Sequence, residues 1–186
     1  DHRIGSDVVM PMTAYLEVCL AALWHTEGRS VGAIDGLEIG EPMVLRAGEA
    51  RLMQVIVDRA DSVGPARIRI FSRGAVNDDA PWLLHASASA GVVPADEPSA
   101  AADLAARAAA LPRSVEVGTF YDRLRDIGVD FGPSFRSMTH VRVAVGEALG
   151  EIEPDKGRLP DIDEFLMHPA LLDACLHVSA VAMDSL

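Results

Sequence analysis

Two apolar segments constrain this chain more than any other feature. Residues 13–27, TAYLEVCLAALWHTE, and residues 169–183, PALLDACLHVSAVAM, each allow about four helical turns and are apolar on most faces. Helices of that composition are buried rather than laid on a surface. Thr13 can cap the first and Gly28 stop it, and Pro169 suits the first position of the second. Within them, Ala14–Leu20 (AYLEVCL) and Ala170–Leu176 (ALLDACL) agree at four of seven positions, with Glu17 matched to Asp173. Ala and Leu are common, so so short a match can also arise by chance. If it is a repeat, the chain holds two copies of one unit, each a sheet wrapped around a buried helix. The second copy then looks incomplete, because the strands expected after its helix are missing.

Strand signals follow the first helix. Val31–Ile39, Glu49–Asp58, Ala66–Ser72 and Trp82–Val93 have strand-like composition, the middle two with the clearest alternation, and Gly64-Pro65 marks a turn between them. Residues 94–113 change character to Pro, Ala and acids and read as a linker with a short exposed Ala-rich helix. The expected division is therefore 1–93, a linker at 94–113, and 114–186. The last part should open with a helix over Val117–Ile127 ended by Gly128. A turn at Asp130–Pro133 follows, then a strand pair or one bent strand over His140–Glu153, and a Pro- and Asp-rich loop over 154–168.

The composition excludes several classes. Hydrophobic residues are 49% and charged residues 24% of 186, which rules out wholesale disorder. A net charge of −12 argues against general nucleic-acid binding and against attraction to an anionic membrane, but leaves room for an acidic partner at a local Arg patch. Val8–Trp24 contains Pro11 and Glu17 and lacks a basic leader, so it reads neither as a signal peptide nor as a span. Cys19 and Cys175 both lie in apolar runs and read as buried free thiols in a reducing, cytoplasmic setting. The abrupt start, Asp1-His2-Arg3, suggests a piece of a longer polypeptide.

Candidate chemistry concentrates at Asp173. A carboxyl inside Leu171-Leu172-Asp173-Ala174-Cys175-Leu176 should be desolvated, which favours its protonated form and suits a general acid. His177, four residues on, shares its helix face and can orient it. The alternative is an Asp–His pair that only satisfies itself in the core. A metal held by His168, Asp173 and His177 has the spacing but no supporting signature. His25, His85, His140 and His168 read as structural, His168 as a helix cap. No nucleophile elbow, P-loop or dinucleotide fingerprint is present.

Three motifs together resemble the dehydratase domain of modular type I polyketide synthases. His2-Arg3-Ile4-Gly5-Ser6-Asp7-Val8-Val9-Met10-Pro11 matches the family's H-x-x-x-G-x-x-x-x-P, except that Ser6 holds the glycine's place and Gly5 sits one residue early. Phe131-Gly132-Pro133, after an F-Y-x-x-L-x-x-x-G helix, matches Y-G-P with Phe for Tyr. His168–Ala174 (HPALLDA), completed by His177, matches the D-x-x-x-Q/H motif. The resemblance spans nearly the whole chain and implies an α+β double hotdog fold, two antiparallel sheets each around a buried helix, with the family's opening and closing strands absent.

The resemblance also implies a mechanism. His2 would take a proton from the α-carbon of a β-hydroxyacyl thioester, and protonated Asp173 would donate to the departing hydroxyl. His177 would orient Asp173, and Pro11 would shape the loop carrying His2. A backbone N–H near Gly5 or Ser6, at the start of the first helix, would polarise the thioester carbonyl. Phe131, Gly132 and Pro133 would support the site, with a phenolic hydroxyl lost at Phe131. Base and acid would come from different halves. The domain would bind no cofactor or metal of its own, the phosphopantetheine arm arriving on an acyl carrier protein. Neighbouring synthase domains and a second copy, as a homodimer, are the other implied partners. The competing readings are a dehydratase that also closes an oxygen heterocycle and a non-catalytic scaffold.

Overall fold

A computed structural model describes residues 1–27, 33–59, 64–75, 79–91 and 104–183. The chain divides into two compact units, residues 7–95 and residues 1–6 with 96–186.

The 7–95 unit is a helix on a sheet. After β2 (Asp7–Val8), following β1 (His2–Ile4) of the other unit, α1 (Met12–Glu27) occupies the expected first helix. Strands β3 (Ala33–Ile39), β4 (Arg51–Arg59), β5 (Ala66–Gly74) and β6 (Leu83–Gly91) form one antiparallel sheet in the order β3-β6-β5-β4. The expected strands are all present; Val31, Val92, Val93 and the stop at Gly28 lie outside the described residues.

Tyr15, Cys19 and Leu23, one turn apart on α1, are fully buried against Ile68, Ile70, Ala86 and Ala88 of the sheet. Burying each large apolar side chain contributes about 1.5–3 kcal/mol. The alanines of β6 face inward between Ser87 and Ser89, as the alternation predicts. The α1 helix is less uniformly buried than its composition suggests, since Trp24, His25 and Thr26 are exposed. The Tyr15 hydroxyl accepts the Met43 N–H at 3.1 Å, and burial raises its pKa.

His85 is placed by a bulge. Ile70 pairs with Ala86 but Phe71 pairs with Leu84, so His85 is the extra residue and turns inward. Its ring nitrogens meet Ser72 Oγ at 2.6 Å and the Glu41 carbonyl at 2.8 Å, and Arg51 donates twice to the same Oγ. These contacts give His85 the structural role expected.

The other unit holds α2 (Leu104–Ala110), β7 (Arg113–Val115), α3 (Val117–Asp126), β8 (Val129–Phe131), β9 (Met138–Ala144), β10 (Glu147–Ile152) and α4 (Pro169–Met183). Strands β10-β9-β7 form an antiparallel sheet against which α4 packs. The helix approaches β10 closely at Gly150, where a Cβ would collide with Val178. Helix α2 is the short exposed helix expected in the linker, and β9–β10 is a strand pair rather than one bent strand.

Three expectations change. The first half of the supposed turn at Asp130–Pro133, Asp130 and Phe131, is the end of strand β8, because it has a partner far away in sequence. β1 pairs with it antiparallel, His2 opposite Phe131, Arg3 opposite Asp130 and Ile4 opposite Val129. That pairing also moves residues 1–6 out of the first half and into the unit that carries α4. Cys175, expected buried, faces outward on α4 and is exposed, whereas Cys19 is buried with its thiol pushed up to about 11 by desolvation.

Candidate active site

β1 is anchored at both ends. The Gly132 N–H donates to the Asp1 carbonyl at 2.6 Å, the Ser134 N–H to Asp1 Oδ2 at 3.3 Å, and the Gly5 N–H to the Gly128 carbonyl at 2.7 Å. A Cβ at Gly132 would stand 2.5 Å from Asp1 Cγ, so the glycine of the Phe131-Gly132-Pro133 motif permits this approach. Pro133 then opens a 3-10 turn over Pro133–Phe135.

This anchoring sets the ring of His2 edge-on to Phe131, centroids 5.3 Å apart, and 5.7 Å from Phe135. Phe131 in turn lies 4.2 Å from the ring of His177. His177 and Asp173 are both buried on α4, with Nε2 and Oδ2 3.1 Å apart. The ring N–H direction misses the line between them, so neither atom has a hydrogen-bond partner despite the short distance. His2, Phe131, His177 and Asp173 therefore form a row within one unit. The β1–β8 ladder brings residue 2, from the start of the chain, beside the segment that precedes α4.

Sequence reasoning passed over one residue here. Tyr121, on α3, is buried and places its hydroxyl 3.1 Å from His177 Nδ1 and 3.4 Å from the Phe135 carbonyl. Arg136 stacks over its ring at 5.0 Å and donates to the Phe131 carbonyl at 2.7 Å. Burial pushes the Tyr121 hydroxyl up to about 12, with nearby Asp173 adding to the rise and Arg136 opposing it. The signal was present in the F-Y pair of α3, whose high polar–apolar contrast turns Phe120 and Tyr121 inward.

Other expected residues are placed as follows. Gly5, at φ +60°, forms the turn after β1, a conformation that favours glycine. Its N–H is already committed to Gly128, which removes it as a donor to a thioester carbonyl, and α1 begins only at Met12. The Ser6 carbonyl accepts from Arg3 at 3.4 Å. Pro11 belongs to the 7–95 unit, where its carbonyl accepts the Ala14 N–H. His168 accepts the Ala170 N–H at Nδ1, as a cap should, with Asp161 at 3.8 Å. Among the described residues no three His, Cys, Asp or Glu side chains converge as a metal site. No described helix is long and apolar enough to cross a membrane.

Comparison with known proteins gives one family. A family model described as "Polyketide synthase dehydratase domain" matches residues 1–73, and one described as "Polyketide synthase dehydratase N-terminal domain" matches residues 99–185. The chain is 33% identical to polyketide synthase GfsA of Streptomyces halstedii, over 95% of this chain and 2% of that protein. It is 34% identical to the phenolphthiocerol synthesis polyketide synthase type I Pks15/1 of Mycobacterium marinum, over 99% of this chain and 8% of that protein. The chain thus spans a small fraction of the curated relatives it matches. Among solved structures, the dehydratase domain from the CurF module of curacin polyketide synthase aligns with TM-score 0.84 at 26% identity, covering 97% of this chain and 64% of that one. The dehydratase domain from the terminal module of the rifamycin polyketide synthase aligns with TM-score 0.82 at 29% identity, covering 98% and 66%. The fold is of this α+β, hotdog-like kind, with antiparallel sheets packed on helices.

Proposed function

Because this chain belongs to the dehydratase domains of type I polyketide synthases, we propose that it removes water from a β-hydroxyacyl thioester during polyketide elongation. The observation that carries this reading is the row from His2 through Phe131 and His177 to Asp173. It sets an imidazole and a buried carboxyl on one aromatic support. In the proposed reaction the neutral His2 ring takes the α-proton. The Cα–H electron pair becomes the new double bond as the Cβ–O bond breaks. Asp173 delivers its proton to the hydroxyl, which leaves as water. Acid–base assistance of this type contributes about 10²–10⁴-fold for each group.

His177, in contact with Asp173 Oδ2, orients the acid. Phe131 packs against both histidine rings. With the Gly5 N–H engaged, the Ser6 N–H is the remaining backbone candidate to polarise the thioester. Pro11 shapes the segment that follows. The reaction needs no metal or diffusible cofactor; the substrate arrives on the phosphopantetheine arm of an acyl carrier protein. We further assign the double hotdog arrangement, a homodimer, contacts with neighbouring synthase domains and a cytoplasmic location. The family membership and the two helix-on-sheet units support these assignments. No feature of the described residues favours the ring-closing or scaffold reading.

The test is mass spectrometry of both diastereomers of a β-hydroxyacyl carrier protein incubated with the chain, alongside His2→Ala and Asp173→Asn. Loss of one water by the wild type, abolished in both folded variants, is expected. Two intact diastereomers would overturn the reading.

A further inference from the structure

Tyr121 shares the buried end of the row but has no part in the mechanism above. Its hydroxyl carries one proton and has two neighbours that can accept it, His177 Nδ1 at 3.1 Å and the Phe135 carbonyl at 3.4 Å. An imidazole nitrogen is a stronger acceptor than an amide carbonyl, and here it is also the nearer. We infer that Tyr121 is a positioning residue whose hydroxyl donates to His177 Nδ1 and so fixes the ring as its Nε2–H tautomer, which puts the ring proton on the nitrogen nearest Asp173 Oδ2. This inference rests on the reading of Asp173 as the acid.

The alternative tautomer makes poor use of the site. With the proton on Nδ1, the bare Nε2 would face Oδ2 at 3.1 Å. An ionised Asp173 would then set two lone pairs against each other. A protonated Asp173 would spend its proton on Nε2 instead of the substrate. With the proton on Nε2, the ring offers Oδ2, 3.1 Å away, a donor instead of a lone pair, and the other carboxyl oxygen is left to hold the proton that is delivered. The ring nitrogen not engaged in the chemistry commonly decides the tautomer in this way. Burial helps, because it pushes the Tyr121 hydroxyl up to about 12 and keeps it a donor across the working range. Arg136, stacked on the Tyr121 ring and bonded to the Phe131 carbonyl, holds the phenol in place.

The role also accounts for a departure in the motif. Phe131 has no hydroxyl to offer His177, only a ring face at 4.2 Å. Among the described contacts, the hydrogen bond to this imidazole comes from Tyr121.

The experiment is nitrogen NMR of the full chain carrying ¹⁵N-labelled histidine, with the His177 signals assigned by His177→Gln. The expected wild-type spectrum shows Nδ1 as an unprotonated acceptor and Nε2 protonated at neutral pH. In Tyr121→Phe, which keeps the ring and Arg136's stacking partner, the tautomers should mix or invert. Turnover of a β-hydroxyacyl carrier protein by that variant should fall roughly 5- to 10-fold in kcat with KM little changed. A protonated Nδ1 in the wild type overturns the inference, and that measurement needs no variant to fold. An unchanged tautomer in folded Tyr121→Phe overturns it as well. The tautomer is read without substrate, so absence of turnover in the wild type would count against the dehydratase reading separately.

Discussion

His2 faces Phe131 across the β1–β8 ladder, and the two rings meet edge to face at 5.3 Å. The backbone pairing that creates this contact joins residues far apart in the sequence. Phe131 also meets His177, centroids 4.2 Å apart, so one aromatic ring touches both the proposed base and the residue that holds the proposed acid. A ring in that place sets spacing without offering a competing hydrogen bond.

Phe131→Leu should therefore disturb both neighbours. Aromatic pairs of this geometry contribute about 0.5–1.5 kcal/mol beyond area burial. Dehydration should slow roughly 3- to 10-fold while the chain stays folded, read by single-turnover assay beside a denaturant melt. Unchanged turnover would show that the row is packing alone.

Gly132→Ala should act on β1 rather than on the core. The added Cβ meets the Asp1 side chain at the point where the Gly132 N–H bonds the Asp1 carbonyl. Thermal stability should change by less than about 1 kcal/mol, since the exposed Asp1 can shift. Activity should drop, because His2 is the next residue. Equal losses in stability and activity would point to a wider disruption.

Gly150→Ala should be destabilising. Its Cβ runs into Val178 where α4 lies on β10, and overpacking of this kind costs about 1–3 kcal/mol. Calorimetry should show Tm lowered by roughly 2–10 °C. Adding Val178→Ala should recover part of the loss; failure to do so would place the strain elsewhere.

Ser72→Ala removes the hydroxyl that His85 and Arg51 share inside the 7–95 unit. A buried imidazole nitrogen left without a partner costs about 1–3 kcal/mol. Urea unfolding should report that loss, with turnover per folded molecule unchanged.

Stability should fall at alkaline pH for a nameable reason. Cys19 is raised from 9.0 to about 11 and Tyr121 from 10.0 to about 12 in the folded chain. The unfolded chain releases these protons first, so unfolding gains from about pH 9 upward until the folded groups also ionise. The urea midpoint should decline across that window. Cys19→Ala should flatten its lower part. A flat profile from pH 9 to 11 in the wild type would contradict the burial of that thiol. In native protein, a thiol reagent should modify exposed Cys175 quickly and Cys19 only on unfolding.

Local chemistry was legible in the residues themselves. The apolar periodicity of α1 and α4, the alternation of β4 and β5 and the spacing of Asp173 and His177 all follow from side-chain sequence, because each depends on near neighbours. Asp173 could be named from its apolar run, whereas His2 and Phe131 were named through the resemblance of their motifs to the dehydratase family. What the sequence could not disclose was which distant backbones pair. Asp130–Pro133 has the composition of a turn, and only β1 lying alongside makes Asp130 and Phe131 part of a strand. That same pairing puts His2 in the unit of Asp173, ties up the Gly5 N–H and brings Phe131 and Phe135 around the His2 imidazole. Cys175 shows the limit from the other side. Its apolar neighbours suggest burial, but the setting of α4 on its sheet turns that position outward together with Leu176, Ser179 and Met183. Periodicity fixes which residues share a face; long-range hydrogen bonds and packing decide what each face meets.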